Sequence, residues 1–298
     1  MHALRVVVSA IALTFWLTGC AHLEDSVNKF DQGTHAASAA EMDFLRSALT
    51  LKCAADYYSS AAKYAATAGN GAAPDYKMRC SAKRVNELHL RQLAMDSLVA
   101  YADKMLALAS SGDRTTLDAT TQKMAASVNA AAKTEQFSGI PTASIVEAGI
   151  IALTDVALDR TKNRDMQQAA SSVQPGLASI IADLKSENDT ALKDIPTNSM
   201  TIYLAIDNAI MTTNRRPTAL DFAAAAYILD SAGIPDSSMT SLAVEPSERV
   251  EKLNATLDAV LAANKALATG TPESIKDAIK DLSERVQAAR SMRNTLNN

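Results

Sequence analysis

Aromatic side chains make up only 4% of the 298-residue chain, and glycine and proline supply just 10 and 8 residues. A β-rich protein of this length needs more aromatic, β-branched and turn-forming residues than that. What remains is rich in helix formers, with alanine abundant and leucine, lysine, glutamate and glutamine behind it. No long run of basic residues exists, so the electrostatic footprint of a nucleic-acid binder is absent. The sequence holds 3 cysteines and 4 histidines, with no CxxC pair and no zinc-like spacing between them. It also lacks HExxH, GxSxG, a P-loop and a dinucleotide fingerprint. These absences point to no cofactor and no metal, and they leave catalysis without a recognisable motif.

The amino terminus is more informative. Residues 1–5, MHALR, carry one fixed charge, Arg5, and residues 6–17, VVVSAIALTFWL, carry none. This apolar run is shorter than the roughly 20 residues a transmembrane helix needs. A basic start, a short apolar core and small residues after it form a secretory signal. Leu17-Thr18-Gly19-Cys20 follows at once. These four residues resemble the lipobox of bacterial lipoproteins, although Thr18 stands where Ala or Ser is commoner. The resemblance implies diacylglycerol on the Cys20 sulfur, cleavage before Cys20 and acylation of the new amino terminus. It also implies residence in the cell envelope. Ala21 in place of Asp resembles the outer-membrane sorting pattern of Gram-negative lipoproteins, which implies a body facing the periplasm. Two or more acyl chains anchor stably, at about 0.8 kcal/mol per buried methylene, where one holds only marginally.

Removal of residues 1–19 leaves 28 basic and 33 acidic side chains, a net charge of −5 with histidine neutral. That balance suits a mildly acidic body outside the cytoplasm. With Cys20 committed to lipid, Cys53 and Cys80 remain. In an oxidising compartment they suggest one disulfide, the alternative being two unpaired structural thiols. A tight hairpin turning near residue 72 would set Cys53 opposite residue 91. A bridge to Cys80 therefore needs residues 69–79 to run back along the first helix. Eleven extended residues reach about 36 Å, while the 15 residues from Cys53 to Ala68 rise about 22 Å as helix, so the loop can reach.

Residues 21–37, AHLEDSVNKFDQGTHAA, are polar and contain Gly33; they read as a flexible tether with a reach of about 23 Å. A single helical domain is expected over 38–298. Its first helix runs from Ala39 to Ala68 and its second from about Cys80 to Ser110, with Val85, Leu88, Met95, Val99, Ala102, Leu106 and Ala109 as the apolar positions. Asp113 or Thr115 can cap a third helix over about 115–136, Thr115 with Asp118 resembling a capping box. Three connectors share a form, GIPTAS at 139–144, DIPTNS at 194–199 and GIPDSS at 233–238, and each reads as a helix stop followed by a new cap. Between the first two, residues 143–192 form either one long helix kinked at Pro175 or two shorter ones, with the kinked helix favoured. Met200–Met211 and Leu220–Ala232 read as short core helices. Two amphipathic stretches, led by Glu245-Pro246 and Thr271-Pro272, read as a terminal antiparallel hairpin. The fold class is all-α, an elongated bundle of antiparallel helices with a C-terminal helical hairpin. The whole resembles alanine-rich helical lipoproteins of proteobacteria that have no assigned role.

Candidate chemistry is sparse. His22 and His35 fall in the tether, and His89 is the one histidine of the body. Without a second ligand at helical spacing, His89 is a poor metal site, and no nucleophile marks it as a general base. Asp155 and Asp159 sit one turn apart, where a solvated helix face is the plain reading. Asp207, inside IYLAIDNAIM, is a carboxylate in apolar company and must find a partner or shift its pKa. His89 and Asp207 are the candidate residues for a catalytic reading. The sequence supports a non-catalytic, lipid-anchored periplasmic protein, held to the membrane through Cys20, whose helical body binds another envelope protein. That role covers an assembly factor, a scaffold and a toxin inhibitor. The alternatives are an envelope hydrolase using carboxylates and a carrier of an apolar ligand.

Overall fold

The computed structural model describes residues 2–66, 80–110, 162–213 and 244–296, and of side chains it describes those from residue 24 onward, short of a few helix ends such as 206–213 and 290–296. The expected helix over 115–136, the connectors at 139–144 and 233–238, the pair Asp155 and Asp159, and the segment Leu220–Ala232 lie outside the described residues. Five helices are described: α1 (His2–Ala66), α2 (Ala82–Ala109), α3 (Lys162–Thr213), α4 (Val244–Thr269) and α5 (Pro272–Leu296). No strand occurs among the described residues. The chain is an all-α bundle, as its composition predicts.

Helix α1 corrects the tether. Val27, Phe30, Thr34, Ala37, Glu41, Phe44, Leu51 and Ala55 are all buried, and half-buried Ala48 fills the one gap in the series. Their steps alternate between three and four residues, the 3.5-residue repeat of a helix seam. The seam therefore begins inside residues 21–37 rather than at residue 39. Gly33 belongs to it as well. A Cβ there would sit 2.8 Å from Cδ2 and 2.9 Å from Cγ of Leu282, so the missing side chain lets α1 and α5 approach. What looks like a flexible break in sequence is a close helix contact.

Helix α3 also differs from expectation, in one of its two prolines. From Lys162 the run through Pro175 is helical, residues 143–161 of the favoured long helix lying outside the described residues, but the helix continues through Pro196, where the sequence predicts a connector. Both prolines are exposed. Their rings and missing N–H groups face solvent, where the carbonyl four residues back can bind water. Inward, Val173, Leu177, Ile180, Leu184, Asn188, Ile195, Ser199 and Ile202 stay buried with no change of phase across either proline. Continuous burial outweighs the roughly 3 kcal/mol that an interior proline costs.

In α2 the buried face centres on Leu90, Ala94, Leu98, Tyr101, Met105 and Leu108. Of the apolar positions read from sequence, Met95 and Ala102 are buried, whereas Val85 is 49% exposed. The terminal hairpin matches its sequence. Gly270 and Thr271 alone separate α4 from α5. A Cβ on Gly270 would lie 2.4 Å from the Ala266 carbonyl oxygen, so only glycine fits the turn. The Thr271 hydroxyl accepts the Ser274 amide at 3.3 Å, the N-cap bond expected beside Pro272 at the first helical position. Thr256 and Arg285, equidistant from the turn, meet at 3.4 Å, so the two helices are antiparallel. Helices α3 and α4 also run in opposite directions: Asn264 meets Gln174 at 2.5 Å, and Asn254 meets Asn188 at 3.0 Å.

The chain packs as two compact units. Unit 1 comprises Met1–Ser38, Leu93–Ala182 and Ala255–Ala288, and unit 2 comprises Ala39–Gln92, Asp183–Asn254 and Ala289–Asn298. Phe30, Tyr101, Met105, Leu177, Val260 and Leu282 are core residues of unit 1; Phe44, Leu51, Leu90, Leu184, Val250 and Leu253 are core residues of unit 2.

Candidate functional site

Cys20 lies on α1, its side chain outside the described residues. Seven residues after it, Val27 is completely buried; that distance is about 10 Å along a helix. Cys53 on α1 and Cys80 just before α2 are disulfide-bonded with Cα atoms 5.1 Å apart. The connecting residues 67–79 lie outside the described residues. A link closing a loop of this length stabilises by about 3 kcal/mol in the chain-entropy account.

Of the two candidate catalytic residues, His89 is half-buried on α2 and already engaged by a neighbouring group. Asp207 is part of α3, and its side chain lies outside the described residues. No helix among the described residues is long and apolar enough to cross a membrane.

Unit 2 holds a small cavity of about 90 Å³ between α1, α2 and α3, lined in part by Lys52, Arg84, Arg91, Glu187 and Asp194. Four of its charged residues, Lys52, Asp194, Arg91 and Glu187, pair among themselves, and Arg84 pairs with Asp56 outside the lining. Lys52 donates to Asp194 at 2.6 Å, Arg84 sits 2.8 Å from Asp56, and Arg91 donates to Glu187 at 2.5 Å. Arg91 is also 3.3 Å from Asp183, both side chains being 4% exposed. Nearby, fully buried Glu41 accepts a hydrogen bond from Asn188 at 3.1 Å. Burial pushes its carboxyl up to about 8, against the opposing effects of the Asn188 hydrogen bond and the Arg249 charge. At neutral pH Glu41 is therefore protonated, the state a buried carboxyl adopts when its partners do not offset desolvation. Enclosed in this way, it is a structural acid.

Unit 1 assembles three ligand-type side chains that the sequence reading did not connect. Asp31 and His35 are one turn apart on α1 and so share a face. Asp103 comes from α2. The His35 Nε2 atom lies 2.9 Å from Asp103 Oδ1 and 3.6 Å from Asp31 Oδ1, and one ligand atom from each of the three residues falls within 4.8 Å of the others. Asp31 is 8% exposed, and its Oδ1 is closed off from solvent without a hydrogen bond. Burial, then a hydrogen bond with Asp103 and the charge of Asp103, push its carboxyl up to about 6, while the His35 charge works against them. The local signal was an aspartate and a histidine four apart, hidden because residues 21–37 read as irregular.

Comparisons with protein-family models, curated proteins and solved structures return no match to this chain.

Proposed function

We propose that the chain is a lipid-anchored protein of the bacterial cell envelope whose helical body binds another envelope protein, on the outer membrane and facing the periplasm. The observation that carries the reading is Leu17-Thr18-Gly19-Cys20 directly after an uncharged apolar run. The Cys53–Cys80 disulfide supports it, since such bonds persist in oxidising compartments. The early start of the α1 seam refines it. With Val27 already in the core, only a few residues separate the body from the lipid, so the partner is met close to the membrane surface. Binding is supported by Met200, Tyr203 and Leu204 of α3, spaced three and four apart and 39%, 39% and 53% exposed. Contiguous exposed apolar side chains of this kind mark association surfaces.

Incorporation of radiolabelled palmitate tests the anchor. The wild-type chain takes up label and Cys20→Ser does not; label entering the mutant protein overturns the lipoprotein reading. Replacing Tyr203 with a photo-crosslinking amino acid in intact cells tests the binding face. A discrete adduct with one envelope protein is expected there, and free protein only would overturn that part.

A further inference from the structure

We infer that Asp31, His35 and Asp103 form a binding site for one divalent first-row transition cation, Zn²⁺ being the best match, that staples α1 to α2 within unit 1. The inference is independent of the lipid anchor and of any protein partner.

Geometry comes first. An ion about 2.1 Å from each ligand atom sets those atoms about 3.4 Å apart in a tetrahedral centre and about 3.0 Å apart at neighbouring octahedral positions. The His35–Asp103 and His35–Asp31 separations, 2.9 Å and 3.6 Å, bracket these values. The third pair, Asp31 and Asp103, offers ligand atoms within 4.8 Å of each other, so a modest inward movement of the carboxylates converts the cluster into a coordination sphere. Donor chemistry narrows the ion. One imidazole nitrogen with two carboxylate oxygens suits zinc and its first-row neighbours, whereas calcium and magnesium prefer oxygen throughout. The His35 side chain is 47% exposed and that of Asp103 37%, so the remaining positions open to water.

An independent feature points the same way. Asp31 Oδ1 is buried and accepts no hydrogen bond, in a site where one imidazole faces two carboxylates. A buried polar atom of this kind calls for an explanation. Protonation answers it in part, and the upward displacement of the Asp31 carboxyl to about 6 reflects that. A divalent cation answers it fully, because it neutralises both carboxylates and uses the unpartnered oxygen as a ligand. The first part of the site is one helical turn, Asp31-x-x-x-His35, already held by the seam residues Phe30 and Thr34 that flank it. Both α1 ligands are thus positioned before the ion arrives.

Equilibrium dialysis of the detergent-purified full chain against Zn²⁺, with Mn²⁺ and Ca²⁺ in parallel, tests the inference. One Zn²⁺ per chain is expected, with weaker Mn²⁺ and no Ca²⁺ binding. His35→Gln and Asp103→Asn should each weaken Zn²⁺ binding by roughly tenfold or more, and His89→Gln should leave it unchanged. Because His35 is half exposed, His35→Gln keeps the fold, which its zinc-free melting curve checks. Zn²⁺ should raise the unfolding temperature of the wild type and not of His35→Gln. Failure to retain Zn²⁺, or retention unaffected by both ligand substitutions, overturns the site.

Discussion

The two units solve the same problem, joining alanine-rich helices, with different chemistry. In unit 1, apart from the Asp31–His35–Asp103 cluster, the described link around Tyr101 is neutral. Tyr101 donates its hydroxyl to Asn264, and Asn264 donates to the Ala170 carbonyl at 3.0 Å and to Gln174 at 2.5 Å. Every donor of the Asn264 amide is used, and its oxygen accepts. Around this network lie Phe30, edge-on to Tyr101 with ring centroids 6.2 Å apart, and an otherwise apolar wall. In unit 2 the helices are joined by the charged Arg91–Asp183–Glu187 cluster, by the buried acid Glu41 and by the Cys53–Cys80 bond. Buried ions lose several kcal/mol of hydration each, which their mutual attraction only repays in good geometry. Neutral hydrogen bonds lose far less and return about 1 kcal/mol net. The charged links of unit 2 should therefore be more sensitive to single substitutions than the neutral Tyr101–Asn264 link of unit 1.

The largest effect should come from Arg91→Met. It leaves Asp183, with its side chain 4% exposed, facing a site built around a cation, and removing one partner of a buried pair costs roughly 3–5 kcal/mol. Urea unfolding followed by circular dichroism measures it. Adding Asp183→Leu to Arg91→Met should recover much of that loss, because Glu187 is half exposed and can turn to water. If the double variant is no more stable than the single one, the cost lies in packing, and the charge-based half of the comparison fails.

Glu41 sharpens the comparison through pH. Its carboxyl is pushed up to about 8 from an ordinary 4.5, so between those values the folded state binds a proton that the unfolded state has released. Stability from this group is fully present below about pH 4.5 and declines as pH rises to about 8. The decline could total at most roughly 5 kcal/mol, at 1.36 kcal/mol per pKa unit. Glu41→Gln keeps the neutral form at every pH. It should therefore lie close to the wild type near pH 5 and be the more stable of the two by about 2–4 kcal/mol near pH 9. Parallel stability profiles for the two proteins would show that Glu41 is ionised in the folded state.

These residues explain what the sequence could reveal and what it hid. The α4–α5 hairpin was legible because its stripe is apolar throughout and its turn, Gly270-Thr271-Pro272, carries every local cue. The early part of α1 was not, because two seam positions are polar. Thr34 satisfies itself by donating to the Phe30 carbonyl at 2.8 Å, and Glu41 relies on Asn188, 147 residues away. Period counting that rejects polar residues loses the seam at Thr34 and starts the helix only at Ala39. The helix through Pro196 was hidden by a local rule, since a proline on the outer face does not interrupt the burial on the inner one. The Asp31–His35–Asp103 cluster needs a partner 68 residues from His35, and no spacing rule reaches that far. Conversely, the cysteine pair was legible because few cysteines leave few pairings.

The smallest effect tests unit 1. Tyr101→Phe keeps the ring against Phe30 and removes only the hydroxyl. The Asn264 oxygen then loses its donor in a fully buried position, which should cost about 1–2 kcal/mol, the penalty of one unsatisfied neutral acceptor. Burial pushes the Tyr101 hydroxyl far above its ordinary ionisation range, so it stays protonated at every pH where the chain is folded. The penalty should accordingly be the same near pH 5 and near pH 9, in contrast to that of Glu41. Phe at 101 combined with Asn264→Leu removes the orphaned acceptor but frees Gln174, which is half-buried and can reach solvent; the pair should cost little more than Tyr101→Phe alone. A loss as large as that of Arg91→Met, or one that changes with pH, would mean that unit 1 depends on its polar network as heavily as unit 2 depends on its charges.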